Sequence, residues 1–344
     1  MIKASTERPN MPDAERDSIL YPASEPFNRG DLKVDNYTLH YEEYGNKDGI
    51  PIVYLHGGPG AGCEPYFHRF FDPEVFRIII YDQRGAPNSD PSGEIVNNSP
   101  AHLVEDNEKL RQQLGIDKWH LFGGSWGSTL ALLYAEKYPE HVSSMTLRGV
   151  FMMREQELDW YLNRMGTFFP EVYKEFIDFL PEAERGGVLE SYYQRLINPD
   201  PAVHLPAAAM WTRFEYGCAF LDVPPDEIRN HEPEKALPFA RIEAHFMRNH
   251  MPDDSIMLNV DKIKDIPTAM VQGRHDAVSP PCSAFDLASK LNNCSLEFVQ
   301  SGHSGSMPET MKGLVAATDR IRDAGSPVLR KTLAPVPDRG RDTT

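Results

Sequence analysis

The segment LFGGSWGST at residues 121–129 constrains the fold more than any other part of the sequence. The short apolar run at 118–122 predicts a buried strand, and the Leu- and Ala-rich run at 129–137 predicts a helix. Between them, GGSWG has the G-x-S-x-G spacing of a sharp strand-to-helix turn that exposes a serine hydroxyl. Glycines beside the serine leave room for the strained backbone of such a turn. Ser125 is therefore a candidate nucleophile, although an isolated G-x-S-x-G is more often an ordinary turn.

The rest of the chain alternates strand-like and helix-like runs. Apolar runs predict strands at 50–55, 75–81, 142–147, 268–272 and 295–300, and periodic runs predict helices at 101–114, 284–291 and 311–323. Such alternation predicts an α/β fold with a mostly parallel sheet flanked by helices on both faces. The alternating apolar and polar residues at 31–44 predict a hairpin at one edge of that sheet.

Strand-like runs are missing between residues 152 and 257, where aromatic, Glu and Arg residues follow a helical periodicity broken by prolines. We interpret this segment as an inserted helical cap over the carboxyl ends of the strands, where α/β proteins bind ligands. The polar start of the chain indicates a loose extension. The predicted divisions are an N-terminal extension at 1–19, a core at 20–151 and 258–323, the cap at 152–257, and a C-terminal tail at 324–344.

Composition restricts the cellular compartment and the classes of binding partner that we expect. The chain has 344 residues, 40% hydrophobic and 25% charged, with a net charge of −16. This acidity opposes binding to nucleic acid or to anionic membranes. No apolar signal segment opens the chain and no run is apolar enough to span a bilayer. The scattered cysteines favour free thiols in a reducing cytoplasm; they are Cys63, Cys218, Cys282 and Cys294.

A serine nucleophile needs a base to accept its proton and a carboxylate to orient that base. In folds with this serine turn, the order along the chain is Ser, acid, His. Ser125, Asp276 and His303 have that order, and the latter two each follow a predicted strand by a few residues. Loops after parallel strands lie at one edge of a sheet, so the three side chains can converge. Alternatively, Asp276 caps the next helix and His303 is a surface histidine.

The glycine-rich run HGGPGAG at 56–62 also follows a predicted strand. Glycines there let the backbone approach a ligand closely. We expect the N–H groups of Gly58 and Trp126 to form an oxyanion hole for a carbonyl attacked by Ser125. The alternatives are a plain turn or a phosphate-binding loop, but no Lys-Ser or Lys-Thr pair follows the glycines.

Four segments carry a specific resemblance. They are HGGPGAGC at 56–63, FFDPEVFRIIIYDQRG at 70–85, GGSWGSTLALLYAEKYPEHV at 123–142 and LRGVF at 147–151. Together they resemble the proline iminopeptidases, which are serine peptidases of the α/β-hydrolase fold, and the similarity runs from about 21 to 322. The resemblance implies an enzyme that releases N-terminal proline from peptides without a metal or coenzyme.

The resemblance also implies substrate-binding residues in the cap. Glu215 and Glu243 match two carboxylates that hold the substrate's imino nitrogen, and Phe151 matches a side chain that lines the pocket for the pyrrolidine ring. Without the resemblance, both Glu residues read as solvated helix faces and Phe151 as core. The sequence departs from the family pattern at 86–89, which bears on substrate preference, and at His275 and Ser279, which bear on the shape of the ring pocket.

Two other functions are compatible with the same motifs. An esterase or a hydrolase of small amides would use the same triad on the same fold. A non-enzymatic receptor could keep the fold alone, since a fold does not prove a function.

Overall fold

The computed structural model describes residues 13–324, and all statements about the structure refer to these residues. Their strands form one eight-stranded sheet in the order β1-β2-β4-β3-β5-β6-β7-β8. The first two strands pair antiparallel, β2 pairs antiparallel with β4, and all other neighbours are parallel. The strands are β1 (Asn28–Val34), β2 (Tyr37–Gly45), β3 (Ile50–Leu55), β4 (Phe76–Tyr81), β5 (Trp119–Gly124), β6 (Val142–Arg148), β7 (Thr268–Gly273) and β8 (Cys294–Val299).

Helices occupy most of the remaining described chain. They are α1 (Asp13–Ile19), α2 (Pro100–Gln113), α3 (Trp126–Lys137), α4 (Glu155–Asp159), α5 (Pro170–Asp178), α6 (Val188–Leu196), α7 (Pro201–Cys218), α8 (Asp226–Arg229), α9 (Pro233–His250), α10 (Ser255–Asn259), α11 (Pro281–Lys290) and α12 (Pro308–Ala324). Six of these helices begin with proline. Proline suits the first helical position because its fixed φ is already helical and no N–H is needed there.

The sheet separates two apolar cores. Along β4, Ile78 and Ile80 face a core that includes α12, whereas Ile79 and Tyr81 face the core beneath α2 and α3. The alternation follows from the period of two in a strand, which sends successive side chains to opposite faces. The sheet is therefore buried on both sides, which explains why its strands are continuous apolar runs. The predicted mostly parallel sheet with flanking helices and an edge hairpin is confirmed.

The helices α4 to α10 lie between β6 and β7 in the chain, and we call them the inserted helices. Aromatic residues hold them together: the ring of Phe176 stacks on those of Tyr192 and Phe214, with centroids 4.4 and 4.1 Å apart. They also contact the loops after the strands. Phe246 of α9 packs edge-on against Trp126, with ring centroids 5.0 Å apart, and the indole N–H of Trp160 donates to Ala277 O at 2.7 Å.

The structure corrects the prediction of a loose start for residues 13–19, which form α1. Leu20, directly after that helix, is buried in the core beneath α12, and the Tyr21 hydroxyl donates to Asp319 at 2.6 Å. These tertiary contacts order a segment whose composition is polar. Residues 1–12 and 325–344 lie outside the described residues. The predicted boundary at 257 falls within α10, and the division into domains stays a prediction.

Two further properties concern the described residues 13–324. None of the four cysteines, which all lie within this range, forms a disulfide bond. None of the helices here combines the length and the apolar character that crossing a lipid bilayer requires.

Candidate active site

Ser125 occupies the turn between β5 and α3. Its backbone has φ 56°, in the left-handed region that non-glycine residues rarely adopt. The glycines beside it are required by space: a Cβ on Gly127 would lie 1.9 Å from Leu55 O, and one on Gly123 would lie 2.2 Å from Gly127 O. The turn therefore places the serine hydroxyl above the end of β5 only because Gly123 and Gly127, two residues to either side, carry no side chain.

The structure brings the predicted triad together. Ser125 Oγ lies 3.0 Å from His303 Nε2, and His303 Nδ1 lies 2.9 Å from Asp276 Oδ2. Asp276 and His303 are buried, with 3% and 5% of their surfaces exposed. With Nδ1–H donating to the carboxylate, Nε2 is free to accept the serine proton. This is the geometry of a nucleophile, a base and an orienting acid.

The Asp276 carboxylate is held from several sides. Its Oδ1 accepts from the N–H groups of Val278 and Ser279 at 3.0 and 2.7 Å, and its Oδ2 accepts from the side-chain amide of Gln272 at 3.0 Å. These donors, together with the His303 imidazole, fix the orientation of the carboxylate.

The glycine-rich loop after β3 lies against the serine turn. An added Cβ on Gly57 would be 3.3 Å from the Ser125 Cβ, and Gly58 has φ +108°. His56 braces the loop: its Nδ1 lies 2.9 Å from Gly57 O, and its Nε2 accepts from Gln83 N–H at 3.0 Å. Gly58 and Ser125 line the same cavity. The N–H of Trp126 belongs to the first turn of α3, whose N–H groups have no acceptor inside the helix.

The DQRG segment after β4 supports both loops. The Gln83 side chain donates to His56 O at 2.9 Å and accepts from the Trp126 indole N–H at 3.0 Å. Asp82 accepts from Cys63 N–H at 2.8 Å, just beyond the glycine run. Arg84 is buried and paired with Asp106. We conclude that this motif fixes the position of the loops that surround Ser125.

Glu215 and Glu243, on α7 and α9, form a carboxyl pair above the triad. Glu215 lines the cavity that contains Ser125 and His303, and it accepts from the Tyr161 hydroxyl at 3.0 Å. Glu243 is 4% exposed and accepts from the Trp211 indole N–H at 2.6 Å. Burial, and then the hydrogen-bonded Glu215 beside it, raise the pKa of Glu243 well above its usual range.

Phe151 lies on the loop after β6, in a second cavity. This cavity is lined by Phe151, Glu243, Ser279 and Gly58, and Gly58 also lines the cavity at Ser125. The loop is held in place because Phe151 O accepts from the Thr129 hydroxyl at 2.8 Å. The two cavities thus share Gly58 of the predicted oxyanion hole. The predicted site residues line one cavity or the other, except for Trp126, which directly follows Ser125, and Asp276, which contacts His303.

Comparison with known proteins supplies the family. The α/β-hydrolase fold model matches residues 50–310. The proline iminopeptidase of Arabidopsis thaliana is 42% identical over 333 residues, covering 94% of this chain and 87% of that protein. The proline iminopeptidase of Xylella fastidiosa strain 9a5c is 42% identical over 307 residues, covering 87% and 98%.

The chain belongs to the proline iminopeptidase family of α/β hydrolases. The predicted fold class and family are confirmed. A solved bromoperoxidase from Bacillus anthracis is 18% identical with a TM-score of 0.60, covering 86% of this chain and 100% of that one. At that identity the likeness concerns the fold alone.

Several residues beside the proline iminopeptidase site were missed in the sequence. Trp211 and Tyr161 hold the two Glu side chains, and Gln272 and Gln83 hold the acid and the glycine loop. Of these, only Trp211 could have been found from the sequence, because it lies one helical turn before Glu215 and therefore on the same helix face. Arg148, at the end of β6, donates to His303 O at 2.7 Å, within the LRGVF segment.

Proposed function

We propose that this chain is a serine exopeptidase that releases N-terminal proline from peptides through an acyl-enzyme on Ser125. The observation that carries the proposal is the pair of Glu215, which is half-buried, and Glu243, which is buried, beside the Ser125–His303–Asp276 arrangement. An ester or a small neutral amide gives no reason for two carboxyl groups in a closed site, because burying them is costly. A substrate with a charged nitrogen compensates that cost.

The reaction follows from the atoms in place. His303 Nε2 takes the Ser125 proton as Oγ attacks the proline carbonyl carbon, and Asp276 stabilises the imidazolium. The N–H groups of Gly58 and Trp126 hold the oxyanion. His303 then gives its proton to the leaving amine. Water, deprotonated by the same imidazole, hydrolyses the ester, so every proton transfer in the cycle passes through His303.

The carboxyl pair sets where the peptide must begin. A protonated imino nitrogen placed between Glu215 and Glu243 donates charge-assisted hydrogen bonds. An acylated nitrogen has neither the charge nor the protons to do so. The pair therefore restricts the enzyme to the first residue of a peptide, with the pyrrolidine ring in the cavity beside Phe151 and Ser279.

Location and other partners are part of the proposal. Free cysteine thiols fit a reducing cytoplasm. The net charge of −16 opposes nucleic acid and anionic membrane surfaces as partners.

Three substrates test the function. They are proline β-naphthylamide, its N-acetyl derivative and p-nitrophenyl acetate. We expect rapid naphthylamine release from the first and at least about a hundredfold lower kcat/KM for the second, because the charged nitrogen is lost. Fast ester hydrolysis without release of proline would instead identify an esterase. Equal rates on the free and acetylated amides would remove the Glu pair from the proposal.

A further inference from the structure

Gln272 is a buried amide that the proposed mechanism does not use. It lies near the end of β7 with 0% of its surface exposed. Its Nε2 donates to Asp276 Oδ2 and to Ser279 O, both at 3.0 Å, and its Oε1 accepts from Val150 N–H at 3.1 Å. The partners fix the amide orientation, because a carboxylate and a carbonyl only accept and a backbone N–H only donates.

These three partners belong to different parts of the site. Asp276 is the acid of the triad, Ser279 lines the cavity beside Phe151, and Val150 directly precedes Phe151 on the loop after β6. One planar side chain therefore joins the acid to both walls of the ring cavity. A buried amide with every partner satisfied is rigid, and the loss of any bond leaves a polar group unpaired.

We propose that Gln272 is a positioning residue that fixes the Asp276 carboxylate and couples it to the ring cavity, an inference that rests on the proposed function. The hydrogen bond from the Gln272 amide partly neutralises the Asp276 carboxylate. It thereby weakens the electrostatic stabilisation that the carboxylate gives to the imidazolium. The same amide fixes the distance between Ser279 and the loop that carries Phe151. Catalytic rate and preference for the proline ring thus depend on one side chain that contacts neither substrate nor nucleophile.

Gln272→Met tests the proposal, because it keeps the length of the side chain and removes all three hydrogen bonds. We expect kcat on proline β-naphthylamide to fall about tenfold to a hundredfold. The acidic limb of the kcat profile moves to higher pH, because Asp276 with one donor fewer holds the imidazolium proton more firmly. The preference for proline over alanine β-naphthylamide decreases as well.

Gln83→Met is the matched control. Gln83 is an equally buried amide that joins the glycine loop to Trp126, on the opposite side of Ser125. Its loss lowers kcat without moving the acidic limb, because it has no bond to Asp276. A folded Gln272→Met protein with the wild-type pH profile and the wild-type proline preference would overturn the proposal.

Gln272→Glu is a second test variant, to be used if Gln272→Met does not fold. It retains the size of the side chain and the acceptor for Val150 N–H, but it replaces the donor to Asp276 with a second carboxyl. We expect its kcat to decline above neutral pH, where two ionised carboxylates repel. An alkaline plateau like that of the wild type would count against the proposal. Profiles measured on p-nitrophenyl acetate use the same triad, so they separate this inference from a failure of the proline specificity.

Discussion

The site has two halves that the chain builds in different ways. Ser125, Asp276 and His303 lie on loops at the carboxyl ends of β5, β7 and β8, and the parallel sheet sets their spacing. Glu215 and Glu243 lie on α7 and α9 of the inserted helices, and aromatic packing and the hydrogen bonds from Trp211 and Tyr161 set theirs.

The difference teaches how chemistry and selectivity separate in this protein. In the proposed mechanism the strand-end half supplies the nucleophile, the base and the oxyanion donors, and should therefore cleave esters as well as amides. The helical half takes no part in the proposed bond-making steps, and its carboxyl pair is proposed to bind the charged nitrogen of the substrate. Variants of the first half should lose all reactions, and variants of the second should lose only the reactions of free amines.

Ser125→Ala should have the largest effect. It removes the proposed nucleophile, so we expect kcat to fall at least about 10⁴-fold on both proline β-naphthylamide and p-nitrophenyl acetate. The free energy of unfolding should not decrease, because the alanine variant needs the same backbone turn with one polar atom fewer. Initial-rate assays on both substrates and a urea unfolding titration check this. Retention of either activity at the wild-type level would remove Ser125 from the mechanism.

Variants of the carboxyl pair should affect only amine substrates, and unequally. Glu215 lines the cavity that contains Ser125, whereas burial raises the pKa of Glu243 and so favours its neutral form. Glu215→Gln removes the carboxyl that faces that cavity, and we expect kcat/KM on proline β-naphthylamide to fall about a hundredfold. Glu243→Gln replaces a carboxyl that already favours its neutral form, and we expect kcat/KM to fall about tenfold.

Hydrolysis of p-nitrophenyl acetate is the internal control for both variants, and we expect changes of less than about threefold. A comparable fall on the ester would show that the pair supports the triad instead of the substrate amine. Equal losses for the two variants would show that the charge is shared between Glu215 and Glu243.

The two halves also differ in how far the sequence predicts them. The triad was predictable because three chemically distinct residues each follow an apolar strand, and parallel strands bring such loops to one edge. The Glu pair was not predictable from pattern, since a carboxylate on an amphipathic helix normally faces solvent. Only the resemblance to a family identified Glu215 and Glu243 before their place beside the triad was known.

What remained unpredicted depends on tertiary contacts. Gln272 and Gln83 act through partners that are distant in the chain, and nothing in their neighbouring residues signals this. The N-terminal helix α1 was missed for the same reason, because its polar sequence is ordered by Leu20 and Tyr21 packing near α12. Local pattern gives elements and strand ends, whereas the amide and carboxyl contacts of the site follow from the assembled fold.

A smaller effect is expected on stability, at a buried carboxyl that lies outside the proposed site. Burial raises the pKa of Glu136, near the end of α3, to about 8. A carboxyl whose pKa is raised on folding stabilises the folded state below its unfolded pKa of about 4.5 and loses that contribution as pH rises towards 8. Glu136→Gln should therefore raise Tm by about 2–5 °C at pH 8 and by less at pH 5.

Glu243→Gln should stabilise in the same direction, because its pKa is also raised by burial. The two variants then differ in activity alone: Glu136→Gln keeps the wild-type kcat/KM, and Glu243→Gln does not. Thermal unfolding at both pH values, with assays on the same samples, checks this. A Tm gain for Glu136→Gln that is equal at pH 5 and pH 8 would contradict the ionisation argument.

The smallest expected effect comes from Trp211→Phe, which removes one donor from the carboxyl pair. The indole N–H of Trp211 donates to Glu243 Oε2 and favours the ionised carboxylate, against the effect of burial. Without it, Glu243 accepts a proton more readily, and we expect KM for proline β-naphthylamide to rise about threefold with ester hydrolysis unchanged. Tyr192→Phe is the matched control, because it removes a polar group from the same aromatic cluster, 5.5 Å from the Trp211 ring, without touching Glu243. If both variants raise KM equally, the inserted helices act on substrate binding through their packing, and the distinction between the two halves of the site is weaker than the hydrogen bonds indicate.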